Sequence, residues 1–168
     1  PDNITLEPTE FGFKSELYQE AILELGKQRT RNAVGKDYYI IQAVKGLDDL
    51  THTANLLSER LHEWYGLHWP ELEKIIKETE YVNLISELGD RETIVKKSKI
   101  EKLKKADPSD SVGIVFDKAD LDAVMGFAQQ LKSVHNSKSN LENYLKNVME
   151  DVAPNVSYLT GPIIGARL

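Results

Sequence analysis

The sequence contains no cysteine, which excludes disulfide bonds, thiolate nucleophiles and cysteine-ligated zinc and favours a reducing compartment. It has no apolar run approaching the roughly 20 residues of a membrane span, and its first residues do not resemble a signal peptide. It also lacks a glycine-rich loop of the kind that binds phosphate. These absences leave no signal for redox, zinc-finger or nucleotide-binding chemistry.

Histidine is scarce as well, and none of the four histidines has a metal-site pattern. His62 is followed by glutamate but lacks the second histidine, four residues later, that a zinc-protease helix requires. His68 stands two residues before Pro70 and is predicted to pack in a turn. His52 and His135 flank apolar stripes and are predicted to be solvated. No catalytic residue, metal site or cofactor is therefore predicted.

The 168 residues carry a formal charge of −6, which argues against a chain built wholly to bind phosphate. The charge is uneven, because residues 91–105 hold seven basic and two acidic side chains. This basic tract is either a solvated helix or loop, or a phosphate-facing patch near the tip of the fold. An apolar fraction of 40% is enough for a core, and 29% charged residues are typical of long exposed helices.

The first part of the chain changes character near residue 13. Residues 1–12, which include Pro8 and Gly12, are predicted to form an extended linker. A helical period begins at Phe13. The apolar positions of this first helix are Leu17, Ala21, Ile22 and Leu25.

An uninterrupted heptad stripe follows, in which apolar residues recur at alternating intervals of three and four, as in one strand of a coiled coil. The seam positions are Ile40, Ala43, Leu47, Leu50, Ala54, Leu57, Leu61 and Trp64. A helix from Asp37 to Tyr65 would be roughly 43 Å long. Gly66 is placed to end it, and Pro70 prevents its continuation.

Shorter elements are predicted after this helix. Residues 71–88 have the apolar pattern of one helix, which Gly89 ends. Another short helix is predicted over residues 92–104, and residues 107–111 form a turn-rich break. Residues 112–116 are the only strand-like run, and they are too few to indicate a sheet.

A second long helix is predicted to begin at Asp117, which acts as the N-cap. Its seam consists of Val124, Phe127, Leu131, Val134, Lys138, Leu141, Leu145, Val148 and Val152. Lys138 is the only polar seam residue. It either fixes the register or lays its aliphatic stem along the seam. Pro154 is predicted to end this helix, Asn155 to cap the next one, and Gly161 with Pro162 to interrupt that one.

Two long seams need a partner each, and the economical arrangement packs them on each other in antiparallel orientation. The predicted fold is therefore all-α: a long antiparallel helical hairpin, or coiled coil, with short helices at the tip. Residues 66–116 form that tip.

Three aromatic side chains cluster where the first long helix ends: Trp64, Tyr65 and Trp69. They are predicted either to plug the end of the seam or to stack on nucleic-acid bases. Arg60 is the only arginine beside them, which favours the plug.

Motifs from both long helices and from the end of the chain occur together and in order. They are residues 37–44, 47–50, 55–66 (NLLSERLHEWYG) and 68–72, then 88–91, 111–113, 120–121, 127–128 and 144–145, and finally 153–155 (APN) and 165–168 (GARL). Over residues 13–168 this pattern resembles the Nop family, the scaffold proteins of box C/D small ribonucleoproteins.

The resemblance implies a scaffold that is not itself an enzyme. Proteins of this family bridge fibrillarin, the ribose methyltransferase, to a kink-turn RNA and the small protein that binds it. An N-terminal domain holds fibrillarin, the coiled coil makes the scaffold dimeric, and the Nop domain reads the RNA–protein surface. The expected partners are therefore a second copy, fibrillarin, the kink-turn-binding protein and box C/D guide RNA, with no cofactor and no membrane.

The resemblance also implies a division of the chain into a linker over residues 1–12, a coiled-coil domain over 13–153 and the start of a Nop domain over 154–168. The chain begins with Pro1 in place of methionine, and a piece of a longer protein is expected. An archaeal, cytoplasmic homodimer is the preferred interpretation. A nucleolar heterodimeric relative is the alternative, and the Trp64-Tyr65-Gly66 stretch disfavours a spliceosomal one.

Two sets of surface residues follow from this interpretation. The dimer contacts expected at the tip are Leu72, Ile75, Tyr81, Ile85 and Leu88. The side chains expected to contact RNA phosphates are Lys96, Lys97, Lys99, Lys102 and Arg167. The residues themselves do not decide whether a dimer forms along the seams or at the tip.

Two other functions compete with the scaffold. One is a generic helical-bundle module for dimerisation or tethering that has no RNA role. The other is an enzyme that acts through His62, Glu63 or the adjacent Asp48 and Asp49. The aspartates lie about 100° apart on a helix and do not share a face, which argues against a catalytic pair.

Overall fold

The computed structural model describes residues 8–12, 14–103 and 106–168. All regular secondary structure in these ranges is helical and none is β-strand, so the all-α fold predicted from the two seams is confirmed. The chain divides into two compact units, Pro1–Gln42 and Ala43–Leu168.

The first unit contains a short 3-10 helix, Pro8–Phe11, and the 19-residue helix α1, Ser15–Ala33. The prediction of extended chain up to residue 12 is wrong for Pro8–Phe11, because proline has a backbone angle that suits the first position of a helix. Residues 1–7 of the predicted linker lie outside the described residues. No residue of α1 is buried.

Helix α2, Lys36–Gly66, begins in the first unit and continues into the second. Its ends lie within one residue of those predicted. The backbone amides of His68 and Trp69 both donate to the carbonyl of Tyr65, at 2.9 Å, and close the helix with a turn. This turn directs the chain into the tip.

Helix α6, Lys118–Val152, is the second long helix. The Asp117 side chain accepts a hydrogen bond from the amide of Asp120 at 2.9 Å, which confirms the predicted N-cap. The two long helices are antiparallel, as expected. Gly46 of α2 lies opposite Leu141, whereas Trp64, further along α2, packs on Phe127, with 5.9 Å between ring centroids.

The single helix predicted over residues 71–88 is wrong, since the structure has two. They are α3, Leu72–Ile75, and α4, Glu78–Glu87. Ile76 and Lys77 are extended, with ψ angles of 164° and 158°. The side chain of Glu80 accepts from the amide of Lys77 at 3.3 Å and helps to restart the helix.

Helix α5, Arg91–Lys97, is shorter than the helix predicted over 92–104. Asp90 caps it by accepting from the amide of Thr93 at 3.0 Å. Ser98 is extended and its hydroxyl accepts from the amide of Ile100 at 3.1 Å, an alternative to helical bonding that ends α5. Residues 104 and 105 lie outside the described residues.

The last two helices are α7, Pro154–Thr160, and α8, Pro162–Gly165. The prediction that Asn155 caps α7 is wrong. Pro154 occupies the first turn and Ala153 precedes it, because a proline without an N–H is tolerated where helix amides have no partner. Gly161, with a φ of 81°, interrupts the two helices as predicted.

Candidate functional site

The predicted seam residues line the inner faces of α2 and α6. Those that are buried are Ile40, Ala43, Leu47, Ala54, Leu61, Val124, Leu131 and Leu145, and those that are partly buried are Leu50, Leu57, Trp64, Phe127, Val134, Leu141 and Val148. Ala128 and Met149 are also buried, although neither is a predicted seam position. Each lies four residues after a seam valine or leucine, so a wider apolar stripe would have included it. Val152 is exposed.

The aromatic cluster at the end of α2 belongs to the core. Tyr65 and Trp69 are fully buried with Tyr81 of α4, and they are not accessible for stacking on bases. The hydroxyl of Tyr65 donates to the carbonyl of Gly89 at 2.6 Å, which ties the end of α2 to the end of α4. Burial, with the nearby Tyr81 and Asp90, raises the pKa of Tyr65, so the phenol stays protonated as a donor.

His68 fastens the strand-like run 112–116 to the turn after α2. Its Nδ1 lies 2.9 Å from the carbonyl of Ile114, and its ring stacks on Phe116 with 4.7 Å between centroids. Burial lowers the pKa of His68 and outweighs the opposing hydrogen bond to Ile114. Gly113 lies against the same turn, since a Cβ there would stand 2.1 Å from the His68 carbonyl oxygen.

The five residues expected as dimer contacts at the tip lie in or against the core of this chain. Leu72, Tyr81 and Ile85 are fully buried, and Ile75 and Leu88 are partly buried and pack on the same cluster. Of the five, only Ile75 and Leu88 keep part of their surface exposed for a contact with another chain.

A different set of apolar side chains at the tip faces solvent. We call Leu67, Val112, Ile114 and Val115 the tip apolar patch; they are between 58% and 86% exposed. The amide of Ile114 donates to the carbonyl of Leu67 at 2.8 Å, which places the loop beside the turn after α2. Residues 112–116, the strand-like run, therefore form a loop without regular secondary structure that exposes apolar side chains to solvent.

The basic tract supplies fewer free cations than its sequence suggests. Lys97, Lys99 and Lys102 are exposed, whereas the guanidinium-bearing side chain of Arg91 is buried at the start of α5. Lys96 is exposed but pairs with Glu92 at 2.8 Å. Three of the predicted phosphate contacts, Lys97, Lys99 and Lys102, are therefore exposed and form no ion pair with another described residue.

Arg167 binds a carboxylate within the chain. Its Nη1 donates to one oxygen of Asp48 at 3.1 Å and its Nη2 to the other. Hydrogen bonding to Asp48 and its charge raise the pKa of Arg167. Arg167, which was predicted to contact phosphate, therefore has its positive charge paired with the carboxylate of Asp48 in α2.

One cluster escaped the sequence analysis. His62 stacks on Tyr81 and lies between Glu78, 2.6 Å from Nε2, and Glu73, 3.4 Å from Nδ1. Partial burial acts to raise the pKa of Glu78, but hydrogen bonds from Ser58 and His62 outweigh it and leave it lowered. No group of three or more potential ligands among the described residues could hold a metal ion. The cluster joins α2 to α3 and α4.

The described helices contain no segment long and apolar enough to span a membrane.

Comparison with protein-family models matches residues 46–168 to a family named Nop and described as a snoRNA binding domain with fibrillarin. The match covers α2 from residue 46 onward, the tip, all of α6, and the helices α7 and α8.

Curated proteins from archaea and eukaryotes are similar to the chain. A NOP5 family protein of Methanocaldococcus jannaschii is 39% identical over 145 residues, which is 79% of this chain and 34% of that protein. Nucleolar protein 58 of Dictyostelium discoideum is 38% identical over 141 residues, or 79% of this chain and 22% of that protein. Nucleolar protein 58 of Saccharomyces cerevisiae is 35% identical over 153 residues, or 86% and 30%. The chain spans about a third or less of the length of these relatives.

Proposed function

Because this chain belongs to the Nop family, we propose that it acts as a scaffold subunit of a box C/D small ribonucleoprotein. The scaffold is not catalytic and positions fibrillarin on guide RNA for methylation of a ribose 2′-hydroxyl in rRNA. The observation that carries the proposal is the family match over residues 46–168. The similarity to nucleolar protein 58 from several eukaryotes supports the same assignment.

The mechanism is positioning by a stiff element. Helices α2 and α6 are 31 and 35 residues long and pack on each other in antiparallel orientation, with Gly46 opposite Leu141 and Trp64 on Phe127. A misplacement of ~1 Å between a catalytic group and its substrate can cost ~100-fold in rate. A rigid spacer therefore contributes to methylation without touching the reacting atoms.

The proposed partners are guide RNA, fibrillarin, a kink-turn-binding protein and a second copy of the chain. Fibrillarin and the kink-turn protein would bind parts of the longer protein outside residues 13–153, which we assign to the coiled-coil domain. Residues 154–168 form the start of the Nop domain. The complex would work in the cytoplasm of an archaeal cell, or in the nucleolus if the protein is eukaryotic.

The tip apolar patch supports a contact between copies at the tip. Its side chains are exposed in the single chain, and a cluster of exposed apolar side chains commonly marks an interface. Leu72 and Ile85, which are fully buried in the core of the tip, would support this contact by stabilising the fold of the tip. The expected species in solution is a dimer.

The functional test is guided methylation in a reconstituted complex of scaffold, fibrillarin, kink-turn-binding protein and box C/D guide RNA. A scaffold from which residues 43–152 are removed should lose methylation of the target nucleotide while fibrillarin keeps its fold, measured by circular dichroism. If methylation survives this deletion, the coiled coil does not position the enzyme.

The dimer is tested separately by light scattering over a concentration series. A mass near twice 19.0 kDa is expected for the chain, and Leu67→Asp with Val115→Asp should weaken the tip contact. Leu56→Asp is the matched control, because Leu56 is similarly exposed but lies on α2 away from the tip. If the Leu67→Asp, Val115→Asp variant still has the mass of a dimer at every concentration, the contact between copies lies elsewhere in the chain.

A tethering module with no RNA role is the second candidate function, and the net charge of −6 favours it. Filter binding to a kink-turn guide RNA distinguishes the two. If the complex that contains this chain binds guide RNA no more tightly than it binds an unrelated RNA, the tether is supported.

A further inference from the structure

The loop that leads into α6 is fastened to the tip by two side chains. We call residues 111–116 the tip strap; it has no regular secondary structure and carries three of the four residues of the tip apolar patch. Glu71 holds the first part of the strap and His68 holds the last part. Both lie between α2 and α3, three positions apart, so the strap is attached to one short stretch of chain.

Glu71 uses both oxygens of its carboxylate to hold the strap. One accepts a hydrogen bond from the hydroxyl of Ser111 at 2.7 Å, and the other accepts from the amide of Val112 at 3.1 Å. The bond from Ser111, together with the one from Val112, lowers the pKa of Glu71 below its ordinary value of 4.5. A proton on this carboxyl would turn one acceptor into a donor and leave Ser111 or Val112 without its partner.

The Nδ1 atom of His68 lies within hydrogen-bond distance of two backbone groups of the strap. The carbonyl of Ile114 is at 2.9 Å and the amide of Phe116 at 3.2 Å. A neutral ring with its proton on Nδ1 donates to the carbonyl, and one without a proton there accepts from the amide. The neutral histidine therefore fits this position in either tautomer.

A second proton on the ring has no acceptor while the strap is closed. Nε2 of His68 is buried and has no hydrogen-bond partner within the described ranges. Protonation would place an N–H and a positive charge there, and the amide of Phe116 would lose its acceptor at Nδ1. A charged ring is therefore accommodated only outside its buried position, which separates it from the last part of the strap.

The charged and titratable groups around the ring leave the neutral form favoured. Tyr65 faces it from α2, Asp90 and Arg91 face it from the start of α5, and residues 112–116 have no titratable side chain. Burial and, to a smaller extent, the charge of Arg91 lower the pKa of His68 below its ordinary value of 6.5. The carbonyl of Ile114 and the charge of Asp90 oppose this shift but do not reverse it.

We propose that the tip strap opens in two stages as the solution is acidified, first from His68 and then from Glu71, while the long helices stay folded. Residues 114–116 separate from the ring in the first stage, and residues 111–112 separate from the carboxylate in the second. Each attachment is complete above the ordinary pKa of its side chain, 6.5 for His68 and 4.5 for Glu71. It is lost as the pH falls towards the lower pKa of the folded state.

Opening changes the surface that the tip presents. In the first stage Ile114 leaves the side of Leu67, and Phe116, which is buried in the closed strap, leaves the core. The contact between copies at the tip apolar patch should therefore weaken below the ordinary pKa of histidine. This consequence rests on the proposed function, whereas the opening itself does not.

Amide hydrogen exchange measured by NMR tests the first stage. Leu67→Ser and Val115→Ser are introduced in every sample, so that a contact between copies does not cover the strap. Each exchange rate is divided by that of an unstructured peptide at the same pH, which gives a protection factor. Between pH 7.5 and 5 the protection of Ile114 and Phe116 should fall at least about fivefold, and that of Val112 less than about twofold. An equal fall at Val112 would show that the strap opens as one piece and would overturn the two stages.

The urea dependence of exchange separates opening of the strap from unfolding of the chain. A local opening exposes little surface, so urea below the denaturation midpoint should barely alter the exchange of Ile114 and Phe116. The amides of Leu131 and Leu145, which lie in the core of α6, should exchange faster with each addition of urea. Equal urea dependence in the strap and in α6 would mean that the strap opens only when the whole chain unfolds, which contradicts the proposal.

His68→Asn identifies the group that controls the first stage. Its amide can still donate to the Ile114 carbonyl but does not titrate, so the protection of Ile114 should be the same at pH 7.5 and 5. His52→Asn is the matched control, because His52 is exposed on α2 and its loss should leave the fall in protection intact. A fall that persists in His68→Asn would overturn the role of this ring.

Glu71→Gln tests the second stage. Its amide keeps one acceptor and loses the other, so Val112 should exchange faster at pH 7.5 and lose no further protection between pH 5 and 3.5. Glu59→Gln is the control, because Glu59 is exposed on α2 and its variant should still lose protection at Val112 in this range. Equal losses in the two variants would place the second attachment elsewhere and overturn that stage.

Light scattering of the chain without the two serine substitutions tests the consequence for the tip contact. The mass of a dimer at pH 7.5 should fall towards that of a monomer at pH 5.5, and His68→Asn should prevent this fall. A dimer that persists at pH 5.5 would show that the strap does not control the contact. A monomer already at pH 7.5 would count against the tip contact of the proposed function, and the exchange rates alone would then decide whether the strap opens.

Discussion

The guanidinium of Arg167 donates hydrogen bonds to both carboxylate oxygens of Asp48, which lies 119 residues earlier, in α2. This contact joins the residues that follow α8 to the side of α2. Both side chains remain about half exposed. An exposed pair of this kind contributes little to global stability but restrains the segment that carries Arg167.

We expect Arg167→Ala to accelerate amide hydrogen exchange in residues 162–168 and to leave the denaturation midpoint almost unchanged. Asp48→Ala should produce the same acceleration, and the double variant no more than either one. Asp49→Ala is the control, because Asp49 is adjacent but has no part in the pair. If Asp48→Ala leaves exchange in residues 162–168 at its original rate, Arg167 is not the anchor.

Gly113→Ala should destabilise the protein by about 1–3 kcal/mol, because the added methyl cannot be accommodated without moving backbone. The new Cβ would lie 2.1 Å from the His68 carbonyl oxygen and 2.6 Å from its carbon. Urea denaturation followed by circular dichroism measures the loss.

Gly126→Ala is the matched control, since Gly126 lies within α6 and a Cβ there meets nothing within 4 Å. It should stabilise the protein by up to about 1 kcal/mol, the usual difference between alanine and glycine in a helix. If both alanine variants shift the midpoint in the same direction, crowding at Gly113 is not the cause.

His68 should make stability fall as the solution is acidified below neutrality. The folded pKa lies below the ordinary value of 6.5, so the unfolded chain takes up the proton first. The stabilising contribution is complete above pH 6.5 and is lost as the pH falls towards the folded pKa. Nε2 has no hydrogen-bond partner within the part of the chain that is described, so a proton there would bring an unpaired charge into the core.

Urea midpoints measured between pH 7.5 and 5 would show the effect as a slope. His68→Asn, whose amide can still donate towards the Ile114 carbonyl, should flatten that slope. His52→Asn should leave it unchanged, and an equally steep slope in His68→Asn would assign the acid sensitivity to other groups.

The exposed lysines of the basic tract should contribute to RNA affinity if the tip faces phosphate. Replacing Lys97, Lys99 and Lys102 by alanine should weaken binding of guide RNA by the complex. Each lost phosphate contact should reduce the steepness of log affinity against log salt by about 0.7 to 0.9, the range between single strands and a duplex. Lys96→Ala should have a smaller effect, because Glu92 already pairs with it.

The control for the lysines is Lys146→Ala, an exposed residue in the later part of α6. A salt slope that is identical for the triple variant and the unaltered protein would mean that the tract is a solvated surface.

The sequence was most informative where the signal is local. The heptad spacing from Ile40 to Trp64 placed α2 within one residue at each end, and Asp117 marked the start of α6. A helix is formed by hydrogen bonds between residues close in sequence. Its apolar period and its capping residues can therefore be recognised from a short stretch of sequence. The order of family motifs was likewise readable along the chain, and it identified the Nop family.

Short elements at the tip were predicted less well. Residues 71–88 have one apolar period but form two helices, and α5 stops at Ser98. In a stretch with weak helix propensity, tertiary contacts decide where the helix begins and ends, because packing outweighs a propensity of a few tenths of a kcal/mol per residue. The stacking of His62 on Tyr81 is one such contact between distant residues.

By itself, then, the sequence determined the all-α class, the two long helices and the family, because each depends on residues close together or on their order. Only the tertiary structure decided which tip residues are buried and which face solvent, and that Asp48 neutralises Arg167. The physical reason is that burial and charge pairing join residues that are far apart in the chain. A periodic pattern shows that a face is apolar, but the surrounding fold decides what covers it.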